Sequence, residues 1–107
     1  MRKVTINRIR AIAGCAGKVS IYTSNKLVEG EKITKDKCEF IGKIKNGSSL
    51  EFEINEEGIV VIAAYDNMNV FMPTDYILIP QGNDNVELTG KVKLNPSKGN
   101  PFIFLNY

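Results

Sequence analysis

Apolar and polar residues alternate with a period of two along much of this chain. Leu50, Phe52 and Ile54 fall on one face, with Glu51 and Glu53 on the other. Residues 86–94 repeat the pattern, placing Val86, Leu88, Val92 and Leu94 together. Successive side chains of a β-strand point to opposite faces, so each run reads as a strand with one buried side. Residues 4–6, continuing to 13, and residues 19–23 read the same way, the latter with Val19, Ile21 and Thr23 on one face. Residues 26–28 suit a short return strand, and residues 38–45 a longer one. Residues 59–65 are apolar on both faces, which predicts a central, covered strand. Residues 70–72 and 76–79 each run into a proline, which marks a strand end or an edge. Residues 102–105 close the chain as a strand that is central or part of a subunit contact. No window carries apolar residues at the spacing of a helix.

The segments between these runs are rich in turn formers. Asn46-Gly47 tolerates the positive φ that a tight hairpin turn needs, so residues 38–45 and 50–54 are expected to pair through it. Gly14-Cys15-Ala16-Gly17, Asp66-Asn67-Met68-Asn69, residues 81–85 and residues 95–101 read as turns or loops. Residues 29–37 are polar and charged, as expected of an exposed tip or loop. Seven or eight short strands without crossover helices predict antiparallel pairing in an all-β, two-sheet antiparallel β-sandwich. A small β-barrel is the alternative architecture. At 107 residues, the chain (1–107) is expected to form a single domain.

Composition narrows the chemistry. There is no histidine, which removes the commonest general base and metal ligand, and with it Ser-His and Cys-His nucleophile pairs. An enzyme would need a carboxylate or Ser-Lys site, and no spacing points to one. The expectation is therefore a non-catalytic protein with no metal and no cofactor. Gly14, Gly17 and Lys18 do not make a phosphate loop. Only two residues separate the glycines, Val19 follows the lysine, and a strand follows instead of a helix. The two cysteines, Cys15 and Cys38, are expected as free thiols, with bridge geometry as the deciding test.

A net charge of +2 carries no strong signal for nucleic acid. Arg2, Lys3, Arg8 and Arg10 lack interleaved aromatics and read as solvated or paired charge on an edge strand. No stretch is long and apolar enough to span a membrane as a helix. No apolar run follows the charges at the start, so no signal peptide is expected and the cytoplasm is the default location. Asn46-Gly47-Ser48 spells a glycosylation acceptor, which the turn explains better. If a small ligand binds, its contacts are expected in the end loops, from Tyr65, Asp66, Asn67 and Asn69 and from Asn83, Asp84 and Asn85. Their amides and carboxylates suit sugar hydroxyls.

The order of short motifs across the middle half of the chain carries a resemblance. Val19-Ser20-Ile21-Tyr22 and Lys26-Leu27-Val28 come first, then Gly42-Lys43-Ile44-Lys45-Asn46-Gly47. Leu50-Glu51-Phe52-Glu53-Ile54, Glu57-Gly58 and Ile59-Val60-Val61-Ile62 follow. This order resembles the small bacterial PEGA-like β-sandwich domains and related uncharacterised proteins. The chain lacks the Pro-Glu-Gly-Ala sequence of that family and adds a charged stretch at 29–37. The resemblance implies a β-sandwich with structural or interaction roles, often linked to the cell envelope, and no catalytic residues. The function expected from residues and resemblance together is a non-catalytic binding or structural module, for which self-association is one option. A carbohydrate or small-ligand binding domain is the alternative.

Overall fold

The period-two segments become eight strands in the computed structural model, which describes residues 1–11, 17–27, 30–67, 70–93 and 100–105. They are β1 (Arg2–Arg8), β2 (Val19–Ser24), β3 (Glu39–Ile44), β4 (Ser49–Ile54), β5 (Val60–Asn67), β6 (Val70–Leu78), β7 (Val86–Val92) and β8 (Phe102–Phe104). The only helical element among the described residues is one 3-10 turn, Lys35–Lys37. No helix there is long and apolar enough to cross a membrane. The strands form two four-stranded sheets rather than a closed barrel. The first sheet has the order β4-β1-β7-β8 and the second β3-β2-β5-β6.

The alternation read from the sequence sets which residues lie between the sheets. Val4, Ile6 and Leu88 of the first sheet meet Ile21, Val61 and Ala63 of the second, all fully buried. Removing one such Val, Leu or Ile side chain from water stabilises the fold by about 1.5–3 kcal/mol. In β4, Ile54 is buried while Leu50 and Phe52 are half-buried against the core. Glu51 and Glu53 face solvent, as the pattern predicts.

Pairing departs from expectation in several places. The residues flanking Asn46-Gly47 form strands, but β3 and β4 belong to different sheets. The turn at 45–48 closes with Ser48 N–H donating to Lys45 O at 3.0 Å and Gly47 at φ 75°. It then serves as a corner between sheets. The Asn46 side chain bonds both the N–H and the C=O of Ala11, at 2.9 and 2.8 Å, and Arg8 N–H donates to Ser48 O at 3.0 Å. The end of β1 thus captures this turn, and β4 pairs with β1 from Arg2↔Ile54 to Asn7↔Ser49.

The strand carrying Arg2, Lys3 and Arg8 is not an edge, because β1 lies between β4 and β7. It ends at Arg8, short of the expected extension to residue 13. Its pairing with β7, Val4↔Val86 to Arg8↔Gly90, is parallel, whereas every other pair is antiparallel. The strands between them supply the long crossover that a parallel pair requires, through the opposite sheet instead of a helix. Lys26 and Leu27 are not in a strand, and Val28 lies outside the described residues.

Residues 70–78 form one strand rather than two. Ala63 pairs with Asp75 and Ala64 with Pro73, leaving Thr74 as the extra residue of a bulge. Pro73, which has no N–H to offer, is tolerated because β6 is the edge of its sheet. The bulge turns Thr74 and Asp75 toward β8. Thr74 Oγ1 donates to Phe102 O at 2.8 Å, and Asp75 Oδ2 accepts from Phe104 N–H at 2.8 Å. The sheets are stitched by side chains along this side and by the 45–48 corner along the other.

β8 is likewise an edge strand, not a central one. Its anchor is Phe102, fully buried over Gly90. A Cβ at position 90 would overlap the Phe102 ring and approach Ile103 O to 2.9 Å. Gly90→Ala is therefore expected to destabilise the fold by about 1–3 kcal/mol through overpacking. Leu88→Ala should cost about 2–5 kcal/mol as a cavity, and exposed Glu53→Ala no more than about 0.5 kcal/mol. Urea denaturation midpoints check this ranking. A neutral Gly90→Ala would show that Phe102 does not seat there.

Candidate functional site

Every residue of β2 is buried, so both faces of the second sheet are covered at this strand. Val19 and Ile21 face the main core. On the opposite face Tyr22, Ile62 and Ala64 form a separate buried cluster. It is covered by the segment joining β2 to β3, from which Leu27, Ile33 and Cys38 pack down alongside Val60 and Phe71. The Tyr22 ring meets Phe40 and Phe71 edge-on, with centroids 5.4 and 5.1 Å away. The connecting segment is therefore a strap, and the packing of Leu27 and Ile33 explains why a polar stretch lies down on the sheet instead of projecting from it.

Polar contacts latch the strap. Ser24 Oγ donates to Lys37 O at 2.7 Å and accepts from Lys26 N–H at 3.2 Å. Lys35 Nζ lies 3.1 Å from Asp66 Oδ2, and Tyr22 OH donates to the same oxygen. Burial, with the adjoining Asp66 carboxylate, pushes the Tyr22 hydroxyl from 10.0 up to about 12. The Tyr22 hydrogen bond, followed by that from Lys35, holds Asp66 below the usual carboxylate range. Cys38 is a free thiol raised by burial, while Cys15 lies outside the described residues.

Among the described residues, two of the hollows that adjoin this construction exceed about 300 Å³. One is an apolar groove of about 380 Å³, lined chiefly by Leu27 and Ile33 of the strap and by Val60, Tyr76 and Leu78 of the sheet. Tyr76 and Leu78 are 61% and 60% exposed. Val70 and Met72, further along β6, are also exposed, as suits the edge position that Pro73 marked. The other hollow, of about 470 Å³, is lined by Gly17, Lys18, Lys43, Tyr65 and Asp66.

The residues singled out in the sequence therefore separate into two groups. Tyr65 and Asp66 share the larger hollow, with Tyr65 OH donating to Asn100 O at 2.6 Å. Asp66 and Asn67 belong to β5 rather than a loop, because the β5–β6 ladder runs on to Asn67↔Val70. The Asn67 side chain and all of Asn69 lie outside the described residues. Asn83, Asp84 and Asn85 sit at the opposite end of the sandwich, where β6 ends and β7 begins. There the Asp84 carbonyl accepts from Arg2 Nε at 2.8 Å and Asn85 Oδ1 from Lys3 N–H at 3.0 Å. Asn83 lines only a hollow of about 130 Å³. The two loops do not converge on one site.

Sequence reasoning missed Tyr22, Lys35, Lys18 and Lys43. Ile33, isolated within the charged stretch 29–37, was the available signal that it packs against something. Among the described residues no group of three or more carboxylates or thiols is placed to hold a metal ion. The chain matches no protein-family model, and no curated protein or solved structure shows significant similarity to it.

The latch sets a pH window. Asp66 is lowered, so its contribution is complete above the ordinary carboxylate range and is lost as pH falls through the folded value. Tyr22 is raised, so its contribution is complete below pH 10.0 and is lost as pH rises to about 12. Thermal midpoints measured against pH should fall on both sides. Tyr22→Phe should abolish the Tyr22 part of the alkaline limb and shrink the acid limb. An ultraviolet phenolate titration should show one of the four tyrosines ionising near 12, absent in Tyr22→Phe.

Proposed function

We propose that this protein is a non-catalytic binding module that takes up an apolar group of its partner in the groove between the strap and the second sheet. The observation that carries the reading is the exposure of Tyr76 and Leu78 in a groove whose other apolar walls are Leu27, Ile33 and Val60, with Glu31 also lining it. Ligand sites are commonly concave, largely apolar and a few hundred Å³ in volume. The resolved pKa shifts support a non-catalytic role. Tyr22, Cys38 and Lys37 move up and Asp66 and Asp36 move down, all away from the neutral range where a general acid or base works best. The resemblance of the middle half of the chain to PEGA-like domains points to the same kind of role.

A second copy is the first partner to test, because β6 presents Val70, Met72, Tyr76 and Leu78 along one edge strand. A second reading, small-ligand binding at the end of the sandwich, is favoured by the hollow that Tyr65 and Asp66 share with two lysines.

The groove is tested with an environment-sensitive naphthalene sulfonate dye and with light scattering. Native protein should raise the dye's fluorescence, and Leu78→Lys should abolish the rise without lowering the thermal midpoint. A dimer that Leu78→Lys dissociates would identify the partner as a second copy. Dye binding unaffected by Leu78→Lys would reject the groove.

A further inference from the structure

We propose that the end of the sandwich bearing Lys18 and Lys43 is a binding site for a compact, multiply charged phosphate. This deepens the small-ligand reading of the hollow at that end and rests on it, while the apolar groove stands or falls separately. The first support is the direction of the strands. β1, β3, β5 and β7 finish at this end, and β2, β4 and β6 begin there. Arg10, Lys18, Lys43, Lys45, Lys91 and Lys93 all lie at or just beyond these strand ends, and Lys18 and Lys43 line the hollow itself. The described carboxylates near these strand ends are already engaged, Asp66 by Lys35 and Tyr22 and Asp75 by Phe104 N–H. A chain of net charge +2 is thus strongly polarised. Charge of one sign lining a cleft raises the local concentration of the opposite ion.

The second support is Arg8. It is 3% exposed, yet among the described residues its Nη1 bonds only two carbonyls, Gly17 O at 3.0 Å and Ile44 O at 2.7 Å. Its Nε is buried with no partner among those residues. Carbonyl oxygens satisfy hydrogen bonds but do not neutralise a guanidinium. A buried cation without a counter-charge is costly. Gly17 connects this cation to the site, since its carbonyl is held by Arg8 and it lines the hollow with Lys18 and Lys43.

The hollow of about 470 Å³ suits a small molecule better than a nucleic-acid strand. The aromatic residue lining it, Tyr65, is half-buried and tied through its hydroxyl to Asn100 O, so it is not free to serve as a stacking platform. Inorganic phosphate chains and the phosphate tail of a nucleotide share the required chemistry.

Calorimetric titration of the whole chain with inorganic tripolyphosphate tests the site, with adenosine triphosphate in a parallel arm. Binding of both would place recognition on the phosphates. Tighter binding of the nucleotide would assign that source, and tighter binding of tripolyphosphate a bare chain. The Lys18→Gln/Lys43→Gln double variant alters only exposed side chains and should weaken binding by about tenfold or more. A Lys26→Gln/Lys32→Gln control in the strap should change it by no more than about twofold. Added salt should weaken binding. Equal weakening by the two double variants would overturn the proposal in favour of diffuse attraction. Amide NMR shifts with a neutral disaccharide separate the two readings. Shifts at Tyr65 and Asp66 with the sugar and none with tripolyphosphate would overturn the phosphate assignment and keep the small-ligand reading. No response to either probe would overturn both.

Discussion

The two inner faces must be buried against each other, and the rest of the structure follows from that constraint. A strand can satisfy it in only one of its two faces, so each apolar run is committed to a side once its sheet is chosen. The chain changes sheet wherever the next apolar face is needed opposite the last. The corner at 45–48 does this between β3 and β4, and the segment from Ile54 to Val60 does it in return. The exception is the outer face of the second sheet, where Tyr22 and Ile62 are also buried. That excess of apolar surface is what calls for the strap.

The existence of the strands was legible, because Val, Ile, Leu and Phe at alternate positions leave little else for the segments to be. The central position of residues 59–65 was legible for the same reason, since a strand apolar on both sides must be covered on both. Pairing was not. Asn46-Gly47 specifies a tight turn through local backbone freedom, but whether the flanking strands then pair depends on what else competes for them. Here β1 competes through Arg8 N–H, through Ala11 and along the whole of β4. The two prolines near residues 70–80 suggested two strands because a bulge around Pro73 cannot be read without its partner Ala63.

The site was legible in part. Asp66 was read as a loop residue, yet it continues the strand that carries Tyr65, and the two line the hollow from its end. Lys18 and Lys43, far apart in sequence, meet there only because β2 starts where β3 ends. Arg8 shares the parity of Val4 and Ile6, which already placed it on the inward face. Its charge argued for solvent. Parity prevailed because slipping β1 by one residue would expose both apolar neighbours.

The parallel ladder between β1 and β7 has a consequence for how the polypeptide is made. Lys3 N–H and Asn85 Oδ1 are bonded although 82 positions separate them. The opening strand, central to its sheet, must therefore wait until most of the chain has left the ribosome before one flank is occupied. Contacts so distant slow folding, and the exposed ladder is vulnerable to mispairing meanwhile. β4 emerges earlier and can shelter the other flank, leaving a nascent hairpin-like pair as the earliest piece of the first sheet.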